Sequence, residues 1–379
     1  MVYKFLLKQD VVLMAAVGID ISSNIITLVE IARSRKGTSI KNAAGFEISQ
    51  ESITKGELQD PVAFSLGLKD AWRKNKFSGR NVFVGLSNLK AIVREVELPL
   101  VNKEEISNSL KYQINDFIPI PKDNILYDFY IMEQSESSSK LMLVGAMKSM
   151  INNVIEAVKG AGFITDAIDL NCFSLFRTID KLYDLKKNKE TNCAVYIGTD
   201  ISIIEIIQDD TLKFPRFLSN SISTFIDNMK KSTGVEEEEA RKFLQQFDFQ
   251  SLTVDKNPAS SGEKKEKTDN KKEDSNEISA QDENLAKSIS STADNFISEI
   301  RMSIEHFLQE DPKAKIGKIL LAGENLKNIR KYIQFKTDYK VEEINVSKSF
   351  SVELVNKGGD IGKLLNPLAI GMALRGIQQ

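Results

Sequence analysis

In each half of the chain a short apolar run enters a tight polar turn and leaves it as a second apolar run. The first pair spans residues 17–21 and 25–31 around Ser22-Ser23-Asn24. The second spans residues 193–197 and 201–207 around Gly198-Thr199-Asp200. β-Branched residues crowd a helix and suit a pleated strand. Two such runs joined by a short polar turn form a hairpin. A hairpin opening each half reads as an internal repeat and predicts a chain of two similarly started lobes.

Between the hairpins the periodicity changes repeatedly. A strand follows at 40–48, then a helix at 61–74 with Phe64, Leu68, Ala71 and Trp72 on one side. Strands at 81–86 and 91–98 lead to Pro99. Residues 103–117 form an amphipathic helix with Ile106, Leu110, Ile114 and Phe117 on one face, capped by Asn102 and started by Glu104 and Glu105. Ile118-Pro119-Ile120-Pro121 ends it, because each proline disfavours helix at the residue before it. Strands at 126–132 and 140–147, a helix at 148–160 and a strand ending near Asp169 complete an inserted α/β block. After the second hairpin, helices are expected at 221–232, 235–247, 285–309, 326–333 and 366–375, with strands at 316–322 and 341–344. The expected units are a tail at 1–16, a first lobe at 17–98 and 170–191, the insertion at 99–169, and a second lobe at 192–252 and 285–379. Residues 253–284 are dominated by Lys, Glu, Asp, Asn and Ser with no aromatic residue. Such a stretch cannot bury enough apolar surface to offset its ordering entropy, so a disordered insertion is expected there.

Composition excludes several functions. Of 379 residues 27% are charged, yet the formal net charge is −2, so no global basic field favours nucleic acid. One histidine, His306, and two separated cysteines, Cys172 and Cys193, cannot build an ordinary zinc site. The cysteines read as small buried hydrophobes and His306 as a helix-face residue. No apolar run is long enough to cross a membrane as a helix.

Three turns could act together on a phosphate group. They are Asp20-Ile21-Ser22-Ser23-Asn24, Tyr196-Ile197-Gly198-Thr199-Asp200, and Ala322-Gly323-Glu324-Asn325 at a strand-to-helix junction. Small residues let backbone N–H groups approach phosphates. A carboxylate at a strand end can hold the water shell of Mg²⁺. A glycine before a helix N-terminus lets the backbone approach a nucleoside.

The most specific stretch is Ile92-Val93-Arg94-Glu95-Val96-Glu97-Leu98-Pro99, then Glu104-Glu105-Ile106, then Tyr112-Gln113-Ile114-Asn115-Asp116-Phe117-Ile118-Pro119-Ile120-Pro121. Ala161-Gly162-Phe163, Phe173, Arg177 and the closing Asn366-Pro367-Leu368-Ala369-Ile370-Gly371-Met372-Ala373-Leu374-Arg375 add to it. In these residues the chain resembles the type IV pilus assembly protein PilM family, relatives of FtsA in the actin/hexokinase superfamily. The resemblance implies a two-lobed actin-like (ribonuclease H-like) α/β fold with an inserted small α/β subdomain. It also implies binding of the cytoplasmic N-terminal tail of a PilN-like inner-membrane protein, contacts with other pilus platform and motor proteins, and a peripheral place at the inner face of the cytoplasmic membrane. The expected peptide contacts are Ile106, Leu110, Tyr112 and Ile114, with core packing as the alternative for the three aliphatic residues. For ATP and Mg²⁺ it implies Asp20 as the metal ligand, Ser22, Ser23, Asn24, Gly198 and Thr199 at the phosphates, and Glu239, Lys242, Gly323 and Glu324 at the nucleoside.

The chain departs from the family pattern where the nucleotide would sit. Ser22 replaces a glycine, Tyr196 an aspartate, and Glu324 the second of two glycines. Asp200 adds a carboxylate to the turn. At about 5 Å from a phosphate and an effective dielectric of about 20 it would cost roughly 3 kcal/mol, about a hundredfold in affinity. A scaffold is therefore the expected function, an actin-like ATPase the alternative. A small-molecule kinase would need a general base that the sequence does not offer.

Overall fold

The computed structural model describes residues 15–35, 37–253, 280–324, 326–348, 350–352 and 364–377. The expected tail, save Ala15 and Ala16, and most of the expected 253–284 insertion lie outside these residues. The chain begins with strands β1 (Ala15–Asp20), β2 (Ile25–Ser34) and β3 (Gly37–Glu47), a small hairpin β4 (Ile53–Thr54) and β5 (Glu57–Leu58), helix α1 (Pro61–Asn75) and strand β6 (Asn81–Leu86). Then come β7 (Ile92–Leu98), α2 (Lys103–Phe117), β8 (Ile125–Gln134), β9 (Ser139–Met147), α3 (Lys148–Gly160), β10 (Ile164–Leu170) and α4 (Asn171–Tyr183). The second half holds β11 (Thr191–Ile197), β12 (Ser202–Gln208), β13 (Thr211–Leu218), α5 (Ile222–Thr233), α6 (Glu237–Gln246) and α7 (Ala280–Glu310). It continues with β14 (Ile316–Gly323), α8 (Ile329–Thr337), β15 (Val341–Glu343), β16 (Ser351–Val352) and α9 (Pro367–Ile377).

The repeated hairpin is the seed of two sheets of one plan. The first runs β10-β6-β1-β2-β3-β16 and the second β15-β14-β11-β12-β13. In both, the hairpin and its third strand are antiparallel, and the next two strands are parallel to the first. Asp20 lies opposite Thr27 and Tyr196 opposite Ile203, so Tyr196 holds in the second sheet the place Asp20 holds in the first. β13 was not foreseen. Lys213, Pro215 and Arg216 interrupt its apolar run, which an edge strand tolerates because its outer backbone needs no partner.

Three expected boundaries are corrected. β7 pairs with β9 in a separate three-stranded sheet, β7-β9-β8, so the inserted unit starts before Pro99. α3 packs on α1 and β10 pairs with β6, so both serve the first sheet rather than the insertion. The closing helix α9 packs on β1, β2, β6 and α4 of the first lobe, not in the second. Strand partnership is a long-range property that local periodicity does not carry. α7 also starts at Ala280, within the expected insertion.

α9 is apolar all round because it is enclosed all round. Its close fit rests on glycines. A Cβ on Gly371 would lie 1.9 Å from the Ser174 carbonyl oxygen of α4. A Cβ on Gly18 of β1 would lie 2.0 Å from the Ala369 carbonyl oxygen. Beside this contact the fully buried Asp169 receives Arg177 at 2.8 Å and Arg375 at 2.9 Å, and Arg177 Nε donates to the Gly371 carbonyl at 3.0 Å. Removing one member of such a set leaves a buried charge uncompensated. α4 in turn lies between the sheets. Its Cys172, Leu175 and Ile179 share one apolar cluster with Ala194, Ile203 and Ile207 of the second sheet. Gly371→Ala is expected to lower stability by about 2 kcal/mol or more, since backbone rather than a flexible side chain must give way. Urea unfolding tests this; an unchanged midpoint would mean that α9 and α4 can separate freely.

Candidate functional site

The three turns meet where the two sheets face each other, and side chains of the protein fill the meeting point. Ser22, Ser23 and Asn24 are all buried. Asn24 reaches back to Glu47 at 3.1 Å, and Ser23 Oγ accepts from the Ile25 N–H at 3.2 Å. Asp20 is almost fully buried. Its Oδ1 accepts from Asn171 Nδ2 at 2.7 Å, and its Oδ2 from Ser22 Oγ and from Asn366 Nδ2, each at 2.8 Å. Burial pushes the Asp20 carboxyl up to about 6, although these donors pull the other way. Tyr196 is buried at the matching register of the second sheet. Burial, then the carboxylates of Asp20 and Glu324, raise the Tyr196 phenol well above its usual range.

The second turn is also spent internally. The Gly198 N–H donates to Ser202 Oγ at 3.2 Å. The Gly198 and Thr199 carbonyls accept from Ile222 and Ser223, the first N–H groups of α5, at 3.0 and 2.8 Å. Asp200 accepts from Ser223 Oγ at 2.7 Å; burial raises its carboxyl despite this bond. Ile201 is buried, and its Cδ1 lies 3.2 Å from where a Cβ on Gly56 would stand, so this turn rests on the β4–β5 turn of the other lobe. At the third turn Gly323 has φ +102°, and a Cβ there would stand 2.1 Å from the Ile197 carbonyl oxygen. Only glycine fits such a conformation and approach. Glu324 is exposed and accepts from Thr199 Oγ1 at 3.2 Å.

The expected nucleoside pair on α6 points elsewhere. Lys242 pairs with Glu238 at 2.9 Å on the exposed side, and Glu239 accepts from Gln281 of α7 at 3.4 Å. The α6 residue that reaches the first lobe is Glu237, which accepts from Gln50 at 2.8 Å and pairs with Arg241 at 3.1 Å. No group of three or more His, Cys, Asp or Glu suited to a metal ion occurs among the described residues.

The inserted unit gives the second candidate surface. Ile106, Leu110 and Ile114 are fully buried between α2 and the three-stranded sheet, with Val96, Leu98, Leu141 and Leu143. This is the core packing that stood as the alternative for these three residues, and a peptide could touch them only if the subdomain opened. Tyr112 remains, 78% exposed, with the Lys122 ammonium 5.4 Å from its ring centre. β8 pairs only with β9 among the described residues. Tyr127, Phe129, Ile131 and Met132 on it are partly exposed, and Tyr130 is 59% exposed. Near the end of β8, Glu133 pairs with Lys213 of β13 at 2.7 Å.

The family model described as type IV pilus assembly protein PilM matches residues 18–251, more than half of the chain. The chain belongs to the PilM family. A solved structure entitled PilM-PilN type IV pilus biogenesis complex aligns over 97% of this chain and 100% of that one, with 18% identity and a TM-score of 0.78. The ethanolamine utilization protein EutJ from Carboxydothermus hydrogenoformans aligns over 98% and 92%, at 10% identity and a TM-score of 0.49. MreB5 of Spiroplasma citri bound to ADP aligns over 96% and 95%, at 10% identity and 0.47. The fold is shared with that complex and is the actin-like one that the resemblance around Arg94 to Pro121 implied.

For a PilM family member, the residues that shape this cleft were only partly foreseen. Asn171 and Asn366 carry much of it. Asn366 opened a stretch read as helix and Asn171 lay between expected elements, and neither type announces a site alone. Their signal was position: one begins α4 immediately after β10, the other stands immediately before α9. His306 proved a surface residue, stacked on Phe214 at 5.2 Å and 3.8 Å from Glu310.

Asp20 makes a pH prediction. Its folded value of about 6 exceeds the ordinary 3.8, so the folded chain holds this proton more tightly than the unfolded chain. Its contribution is fully present below about 4 and is lost as pH rises through about 6, a fall of about 3 kcal/mol. Asp20→Asn cannot ionise. The stability difference between wild type and variant should change by about that amount across this window and stay flat above it. Urea unfolding at a series of pH values measures it. Parallel profiles would show that Asp20 does not titrate there.

Proposed function

We propose that this chain is a scaffold of type IV pilus assembly which captures the cytoplasmic N-terminal segment of a PilN-like inner-membrane protein. The observation that carries this is the end-to-end alignment with the PilM-PilN complex, joined to membership of the family. No helix among the described residues is long and apolar enough to cross a membrane, so the bound partner would hold the chain at the inner face of the cytoplasmic membrane. Other platform and motor proteins of the pilus would dock on the same assembly. The lobes and the inserted unit act here as separate working parts, one holding the shape and the other the partner.

The geometry favours β8 as the docking edge. An open edge of ten residues with partly exposed aromatic and aliphatic side chains is a surface that proteins ordinarily cover. An extended peptide can cover it by adding a strand, its main chain giving affinity and alternate side chains giving specificity. Tyr130 and Met132 lie on the face away from α2, and Tyr112 stands beyond the other face. The ATPase alternative has less support, because Asp20, Ser22, Gly198 and Thr199 are engaged with the protein itself.

A fluorescent peptide of the PilN-like N-terminus should bind the purified chain with a saturable anisotropy change. Tyr130→Asp should weaken it at least about tenfold, by setting a charge on an apolar contact. No binding at high micromolar peptide would sink the scaffold reading. Unchanged affinity in Tyr130→Asp would move the contact away from β8.

A further inference from the structure

We propose that the protein's own side chains, namely Asp20 with its donors Ser22, Asn171 and Asn366, the buried Tyr196 at the matching register, and the Ile201–Gly56 contact, replace the metal–nucleotide link between the lobes, so that the chain is held closed without nucleotide and partner capture is not gated by ATP.

Mg²⁺ and ATP do not fit the side chains and the helix end that would hold them. A metal-bound water would have to reach Asp20, but its carboxylate is almost fully buried and already accepts from Ser22, Asn171 and Asn366 at 2.7–2.8 Å. The position across the cleft, where the fold repeats the Asp20 register, carries a buried phenol. A phenol that keeps its proton cannot hold the water shell of a cation as a carboxylate does. The N-terminus of α5, which could have offered N–H groups to a phosphate, is capped by the carbonyls of Gly198 and Thr199. Asp200 and Glu324 set carboxylates on the two turns that a phosphate would approach.

The same contacts do the mechanical work of a bound nucleotide. Asn366 precedes α9, which packs under the first sheet, and donates to Asp20 of β1 at 2.8 Å, while Tyr196 of β11 is packed in one apolar cluster with Ile19 and Ile21 of the first lobe. Ile201 seats the second turn against Gly56 of the first lobe, and Gln50 meets Glu237 across the same gap. A ligand shifts a conformational equilibrium only by the difference in its affinity for the two states. With the bridging positions occupied, nucleotide has no such difference to offer.

The part of this inference that concerns partner capture rests on the scaffold reading; the part that concerns the cleft does not. Thermal unfolding of the wild type should shift by less than about 1 °C with 5 mM Mg·ATP or Mg·ADP, where a site of about 50 μM affinity would raise it by several degrees. Tyr196→Ala removes the ring that packs between the lobes. It should lower the unfolding temperature by a few degrees and raise deuterium uptake at residues 196–202 and 364–372. Asn366→Ala, which removes a donor to Asp20, should change both in the same direction. Affinity for the PilN-like peptide should agree within about twofold with and without Mg·ATP. A saturable rise of about 3 °C or more with Mg·ATP, or unchanged uptake in both variants, would overturn the proposal. If the peptide fails to bind at all, the scaffold reading falls, while the melting and exchange results still decide the cleft.

Discussion

Asp20 stands where three distant parts of the chain converge, and its carboxylate is the acceptor they share. Ser22 comes from its own hairpin, Asn171 from the first residue of α4, and Asn366 from the residue before α9. An ionised carboxylate in a buried site is costly unless donors surround it. Here the donors are fixed by packing that does not involve them. Gly18 lets α9 lie on β1, Gly371 lets α9 lie on α4, and the Asp169–Arg177–Arg375 set holds the far end of the same junction. The hydrogen bonds and the close packing thus support one another.

The two sheets show what the repeat preserves and what it changes. Strand order and direction are the same in both, and the tight turns fall at matching registers. The side chains at those registers differ in kind. The first sheet ends β1 in a carboxylate, and the second places a phenol there. A duplicated frame with unlike residues at its two focal positions can close its lobes on packed side chains. Two carboxylates would instead repel one another unless a cation lay between them.

The backbone plan was legible in the sequence to the extent that periodicity carries it. The hairpins at Ser22-Ser23-Asn24 and Gly198-Thr199-Asp200 formed where the β-branched runs placed them, and Asn102 caps α2 by accepting from the Glu104 N–H at 2.8 Å. Partnership was not legible. Nothing local distinguishes β10, which extends the first sheet, from β9, which belongs to the inserted one. The apolar face of α2 was visible as Ile106, Leu110 and Ile114, but a helix periodicity cannot say whether such a face meets a partner or its own sheet. Glu205 shows the same limit from the polar side. It sits in an apolar run, faces inward with no exposed surface, and burial pushes its carboxyl well up. Only the packing of α4 against the second sheet explains that environment.

The inserted sheet and the cleft obey opposite rules about unsatisfied groups, and this separates the two candidate surfaces. In the cleft, Asp20, Gly198 and the carbonyls before α5 have found partners within the chain, so a newcomer would have to displace bonds before making its own. Along β8 the outer backbone edge has no strand beside it among the described residues, and an added strand would form hydrogen bonds without breaking any between protein groups. Side-chain area points the same way. Tyr130 offers a ring that is largely exposed, whereas the ring of Tyr196 is already packed. Binding energy comes from what a surface leaves unmet, since the net worth of exchanging one protein hydrogen bond for another is small. The cleft therefore serves as the joint of this molecule, and the edge of the inserted sheet is where it has most to gain from a partner.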